Sequence, residues 1–139
     1  CATLLVRHHP LLAAISSEFI ALISACSQQS LANTVWSFAN LEFEDVPLRD
    51  AIASSALPII SEFAVQGISN TVWAVARMRY EHAPLLDAIA EKSISSIQDK
   101  QVQTQNLSNI SWSFSILRVA NPPLLDAIAA ESIPMRTQL

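Results

Sequence analysis

The chain has 139 residues, enough for one compact domain, and 51% of them are hydrophobic, which excludes a disordered segment. Only 14% are charged and the net charge is −4, so the composition argues against indiscriminate binding to nucleic acid, which needs a clustered basic surface. No apolar run approaches the roughly 18 residues that a membrane-spanning helix needs, and no membrane partner is expected.

Taken in chain order, the first residues read as the end of a helical unit. The segment "CATLLVRHHP" aligns with "FANLEFEDVP" further on, which places His8 as a loop or capping residue in register with Asp45. Neither a basic n-region with a cleavage site nor an Arg-rich transit segment is found, and the chain reads as an internal fragment that carries no address. A helix A follows over about Gln28–Leu41. With Asn33 as origin and about 100° per residue, Leu31, Val35 and Phe38 cluster opposite a polar stripe of Gln29, Asn33, Ser37 and Asn40. Helix B starts near Pro47, with Asp45 as N-cap, Asp50 early in the helix where the macrodipole favours a negative charge, and Leu48 with Ile52 facing inward. Pro58 should break it. The same pair returns: helix A over Val65–Met78, and helix B near Pro84 with His82 as cap and Leu85 with Ile89 inward. It returns again over Thr104–Leu117, then from Asn121 with Pro122 at the first helical position, Leu124 and Ile128 inward, and Pro134 as an expected break.

The returns are regular. Trp36, Trp73 and Trp112 stand 37 and 39 residues apart, and Pro10, Pro47, Pro84 and Pro123 step by 37, 37 and 39. A fixed period between 20 and 50 residues signals a repeat architecture. With a single glycine and no β-branched alternation, the expected fold is all-α: an α-solenoid of stacked antiparallel helical hairpins with a 37–39-residue repeat. The whole of 1–139 is one array, divided into a partial unit 1–27, units 28–64 and 65–103, and a truncated unit 104–139.

Catalytic chemistry has little to stand on. One Gly gives no phosphate-cradling loop, and no CxxC or HExxH occurs. His8 and His9 with Cys1 or Cys26 could be drawn as a thiol or metal site, but small core cysteines and a capping His explain them better. No enzyme activity, cofactor, metal or small-molecule substrate is expected. The Trp column reads chiefly as a packing ladder between units, each indole burying a large area, and secondarily as a stacking platform for bases. The Asn column, Asn33, Asn70 and Asn109, is identical in every unit, so it reads first as structural and then as a repeated phosphate or sugar contact. Columns that vary are more informative: Ser37, Ala74 and Ser113; Asn40, Arg77 and Ile116. All 12 acidic residues fall outside the three helix A segments, which carry one base, Arg77.

The runs "QSLANTVWSFANLEFEDVPLRDAIA", "QGISNTVWAVARMRYEHAPLLDAIA" and "QNLSNISWSFSILRVANPPLLDAIA" carry a resemblance over nearly the whole chain. They resemble octotricopeptide-type repeats and the related helical arrays that precede RAP domains in FAST-kinase-like organellar proteins. The resemblance implies an RNA-binding α-solenoid in a mitochondrion or chloroplast, acting in RNA stability, processing or translation, with single-stranded RNA on helix A. The contact residues it suggests are Asn33, Ser37, Asn40, Asn70, Arg77, Asn109 and Ser113. The alternative is a protein–protein interaction scaffold of the helical-repeat type.

Overall fold

The structure is a computed structural model that describes residues 2–137, with side chains over 8–133. Its described residues form seven α-helices and no strand: α1 (Ala2–Leu22), α2 (Gln28–Asn40), α3 (Val46–Ala56), α4 (Val65–Arg77), α5 (Ala83–Gln98), α6 (Thr104–Ile116) and α7 (Pro122–Thr137). The all-helical expectation is met.

The helices begin and end for local reasons. Asp45, His82 and Asn121 each accept a hydrogen bond from the backbone N–H three residues on, at 2.9, 3.2 and 3.0 Å, and so cap α3, α5 and α7. The ends of α2, α4 and α6 share a second device. The N–H of Phe43 reaches back to the Phe38 carbonyl and that of Glu42 to Ala39; Tyr80 with Val75 and Arg79 with Ala76 repeat the pattern, as do Val119 with Phe114 and Arg118 with Ser115. These are Schellman closures, which place one residue in the left-handed region. That residue is glycine in most proteins; here it is Glu42 (φ 52°), Arg79 (φ 48°) and Arg118 (φ 54°). Two of the three carry a cation where the helix dipole ends negative, a favourable placement for the charge.

Packing follows from the apolar faces. α4 lies between α2 and α6, making the most extensive helix contacts of the fold, while α1, α3, α5 and α7 supply a second set, with α1 on α3 and α5 on α7. Leu31, Val35, Phe38, Val72, Ile110 and Phe114 from the first set meet Leu48, Ile52, Leu85, Ile89 and Leu124 from the second, all buried. Burying a Leu or Ile side chain stabilises the fold by roughly 1.5–3 kcal/mol. Polar contacts tie neighbouring segments together: the Tyr80 hydroxyl donates to Asp50 at 2.8 Å, Arg49 reaches the Met78 carbonyl at 3.3 Å, and Ser16 donates to Asp45 at 3.0 Å. Desolvation of the Tyr80 phenol, helped by its bond to the Asp50 carboxylate, pushes its pKa up to about 12.

Two local expectations are corrected. α1 starts well before Pro10, which lies inside it, so His8 is an exposed helical residue and not a cap. The physical reason is that nothing in Ala2–His9 stops a helix: the stretch contains neither Gly nor an Asn or Asp in the place of Asp45. The two late prolines also differ. Pro58 ends α3 at Ala56 and tightens Leu57–Glu62 into a 3₁₀ helix, because the chain must turn into α4 at Val65. At Pro134 the backbone of α7 stays helical to Thr137, so no break occurs there; the proline's ring lies outside the described side chains. Cys1, offered with His8 and His9 as a thiol or metal site, lies outside the described residues as well.

Candidate nucleic-acid interface

A helix held between two like neighbours has two covered flanks and only a narrow strip left for solvent. In α2, α4 and α6 the residues that face the next helix of the row are 32, 35 and 39, then 69, 72 and 76. Ala32, Val35, Ala39, Ser69, Val72 and Ala76 are all buried. The residues that face the preceding helix are 71 and 74, then 110 and 113, and these are buried too. What remains open is the strip Gln29–Asn33–Trp36–Asn40 and its equivalents Gln66–Asn70–Trp73–Arg77 and Gln105–Asn109–Trp112–Ile116.

This arrangement relocates part of the expected contact set. Asn33, Asn40 and Arg77 are exposed, and Asn70 and Asn109 are half-buried. The side-chain amides of Asn33, Asn70 and Asn109 make no hydrogen bond among the described residues, so the structural role first assigned to them is not what holds them in place. Ser113 is removed from the surface: it is fully buried, and its hydroxyl donates to the Asn109 carbonyl at 2.6 Å. Ser37 makes the equivalent bond to Asn33 at 2.8 Å and is exposed. Its column is a joint between helices, and α2 has no preceding partner in the row among the described residues.

The indoles move the other way. They were expected to bury a large area, and Trp73 is half-buried against the core, whereas Trp36 and Trp112 stay 44% and 41% exposed. They do form a ladder. The Trp36 and Trp73 rings lie 6.2 Å apart with planes at 34°, and Trp73 and Trp112 lie 6.5 Å apart at 28°. The Arg77 guanidinium sits 5.5 Å over the Trp73 ring and bonds Glu42 at 3.0 Å. Both partners of that pair are open to solvent, so it is readily exchanged for another anion. The exposed Arg79 and Arg118, on the closures that end α4 and α6, make no ion pair among the described residues.

Two grooves run between the helices of the row. One, of about 420 Å³, separates α2 from α4 and is lined by Gln28, Gln29, Asn33, Gln66, Gly67 and Asn70. The other, of about 380 Å³, separates α4 from α6 and is lined by Gln66, Asn70, Gln101, Gln105, Asn106 and Asn109. An amide side chain both donates and accepts, which suits the edges of bases and ribose hydroxyls. Ala64 and Gln103 leave the first turns of α4 and α6 without a side-chain cap beside these grooves. Among the described residues no group of three His, Cys, Asp or Glu gathers to hold a metal ion, and Cys26 is a free, half-buried thiol. No helix among them is long and apolar enough to cross a membrane.

Comparison with known proteins supplies the family. The model described as "RESC6: RNA-editing substrate-binding complex 6 protein" matches residues 4–122, most of the chain. No curated protein matches it. The match overturns the resemblance to octotricopeptide and RAP-associated repeats. That resemblance rested on the three recurring runs, with their shared Asn-x-x-Trp and Asp-Ala-Ile-Ala segments. The RNA-processing connection is retained, and a chloroplast address has no support.

Proposed function

The chain belongs to the RESC6 family of RNA-editing substrate-binding complex 6 proteins, and we propose that it is an RNA-binding helical-repeat module working within such a complex in mitochondrial RNA processing. In this reading α2–α3, α4–α5 and α6–α7 are antiparallel hairpins of one solenoid, and a single RNA strand lies along α2, α4 and α6. The observation that carries it is the composition of their open strip. All 12 acidic residues fall elsewhere, and the strip offers amides from Asn33, Asn70 and Asn109, three indoles and Arg77. Amides and indoles contact bases; Arg77, Arg79 and Arg118 contact phosphates. Asn40 turns its amide to the Trp36 carbonyl at 3.1 Å, so its role is to bring polarity beside the first indole. The chain has no catalytic step of its own in this reading and needs no cofactor.

Filter binding of a short single-stranded RNA across a salt series tests the proposal. Single-strand binding loses about 0.7 log units of affinity per log unit of salt for each phosphate neutralised, so three arginines give a slope no steeper than about −2. Arg77→Glu should weaken binding several-fold and leave the melting temperature unchanged. An absence of binding at low salt by folded protein, or unchanged affinity in Arg77→Glu, would overturn this surface. A protein partner is a second reading with its own support: Leu11, Ile15, Leu125 and Ile133 are large apolar side chains left exposed on α1 and α7.

A further inference from the structure

The geometry points to a more specific role for the indoles, and it rests on the RNA reading above. We propose that Trp36, Trp73 and Trp112 form a base-stacking ladder that takes two bases of a single-stranded RNA, one in each gap between neighbouring rungs. The spacing of the rungs is the first argument. A base inserted between two parallel rings needs about two stacking rises of ~3.4 Å each, or roughly 7 Å. The ring centroids lie 6.2 and 6.5 Å apart with planes at 34° and 28°, which is direct tilted contact, so a base enters as the rings level and part.

Exposure is the second argument. The joints between helices are filled by Val35, Val72 and Ile110, each fully buried, and of the indoles Trp73, the middle rung, packs half-buried against that core. The outer rungs stay partly open, Trp36 at 44% and Trp112 at 41% exposure, so part of each indole is within reach of a base. The third argument is what stands beside each rung. One helical turn after each indole comes Asn40, Arg77 or Ile116, three different chemistries at one register. Arg77 lies over the middle ring, where a phosphate entering with its base competes with Glu42 for the guanidinium. A surface that stacks uniformly but varies at its flank holds any strand while preferring some bases over others.

The chain's three tryptophans are all rungs, so tryptophan emission, excited beyond the absorption band of Tyr80, reports on the ladder alone. The whole protein is titrated with a twelve-nucleotide single-stranded RNA of mixed sequence, with the same strand annealed to its complement, and with inorganic polyphosphate. Filter binding is followed in parallel. The single strand should quench the emission in step with binding. The duplex, whose base faces are covered, and polyphosphate, which has none, should leave it unchanged. Trp112→Ala should lower affinity for the single strand about fivefold or more, while Trp112→Phe keeps most of it; Trp36→Ala repeats the test at the other end of the ladder should the first variant fold poorly. Binding without quenching overturns the ladder and leaves the RNA reading standing. Equal quenching by polyphosphate, or full affinity in both alanine variants, overturns the ladder as well. No binding of any RNA overturns both.

Discussion

The outer side of α2 and the outer side of α6 are opposite edges of one row of helices, and they are chemically unlike. Beside α2 runs an apolar groove of about 250 Å³, lined by Leu12, Ile15, Thr34, Ser37, Phe38 and Leu41. The edge of α6 carries Ser108, Ser111 and Ser115 at the positions where α2 has Ala32, Val35 and Ala39. Ser108 and Ser111 turn their hydroxyls back onto the Thr104 and Leu107 carbonyls at 2.9 and 2.7 Å, which satisfies them without a neighbour. The first edge is therefore built to be covered, whereas the second is comfortable against water. Register 35, 72 and 111 shows the contrast, with valine in the two closed joints and serine at the open edge, while Ser69 and Ser113 show that a closed joint also admits serine.

The largest test of that contrast compares one residue type in two settings. Ile89 is fully buried, while Ile15, five residues after the equivalent proline, is 47% exposed. Ile89→Ala should cost about 2–5 kcal/mol and Ile15→Ala less than about 1 kcal/mol, read by denaturant unfolding. Equal losses would mean that the α1 edge is already closed in solution, for instance by self-association. An exchange across the two edges comes next. Val72→Ser puts α6's serine into the closed α2–α4–α6 joint and should cost about 2 kcal/mol, while Ser111→Val at the open edge should change stability by no more than about 0.5 kcal/mol. The smallest effect has the opposite sign. The Thr71 hydroxyl is buried with no hydrogen-bond partner, whereas Ile110 stands at its place in the next unit and Thr34 on the open edge bonds the Ser30 carbonyl at 2.8 Å. Thr71→Val should therefore stabilise the protein by about 1 kcal/mol in thermal melts, and Thr34→Val should not.

Much of the helical plan was legible because it is written in local chemistry. The starts of α2, α4 and α6 agree with the periodicity reading, and Asp45, His82 and Asn121 cap where the spacing to the prolines put them. The left-handed closures were missed, since glycine is their usual sign and Glu42, Arg79 and Arg118 stand there instead. Their shared 37- and 39-residue steps were the signal that could have found them. Within the candidate interface, the angular reading put Ser37 and Ser113 in the open strip and the indoles on a covered flank. A helical wheel gives the apolar face of one helix but cannot say how far two neighbours close over its sides. That depends on where in the row the helix stands, which is why Ser113 is buried and Trp112 is not. The family also escaped the residue reading: the recurring runs pointed to octotricopeptide-type arrays, and the family match over residues 4–122 overturned that.

The central claim is that RNA meets the open strip of α2, α4 and α6. Ultraviolet crosslinking of the protein to a short single-stranded RNA, followed by mass spectrometry of the crosslinked peptides, tests it most directly. Crosslinks should fall in peptides containing Trp36, Trp73 or Trp112. Crosslinks confined to α3, α5 and α7 would contradict it.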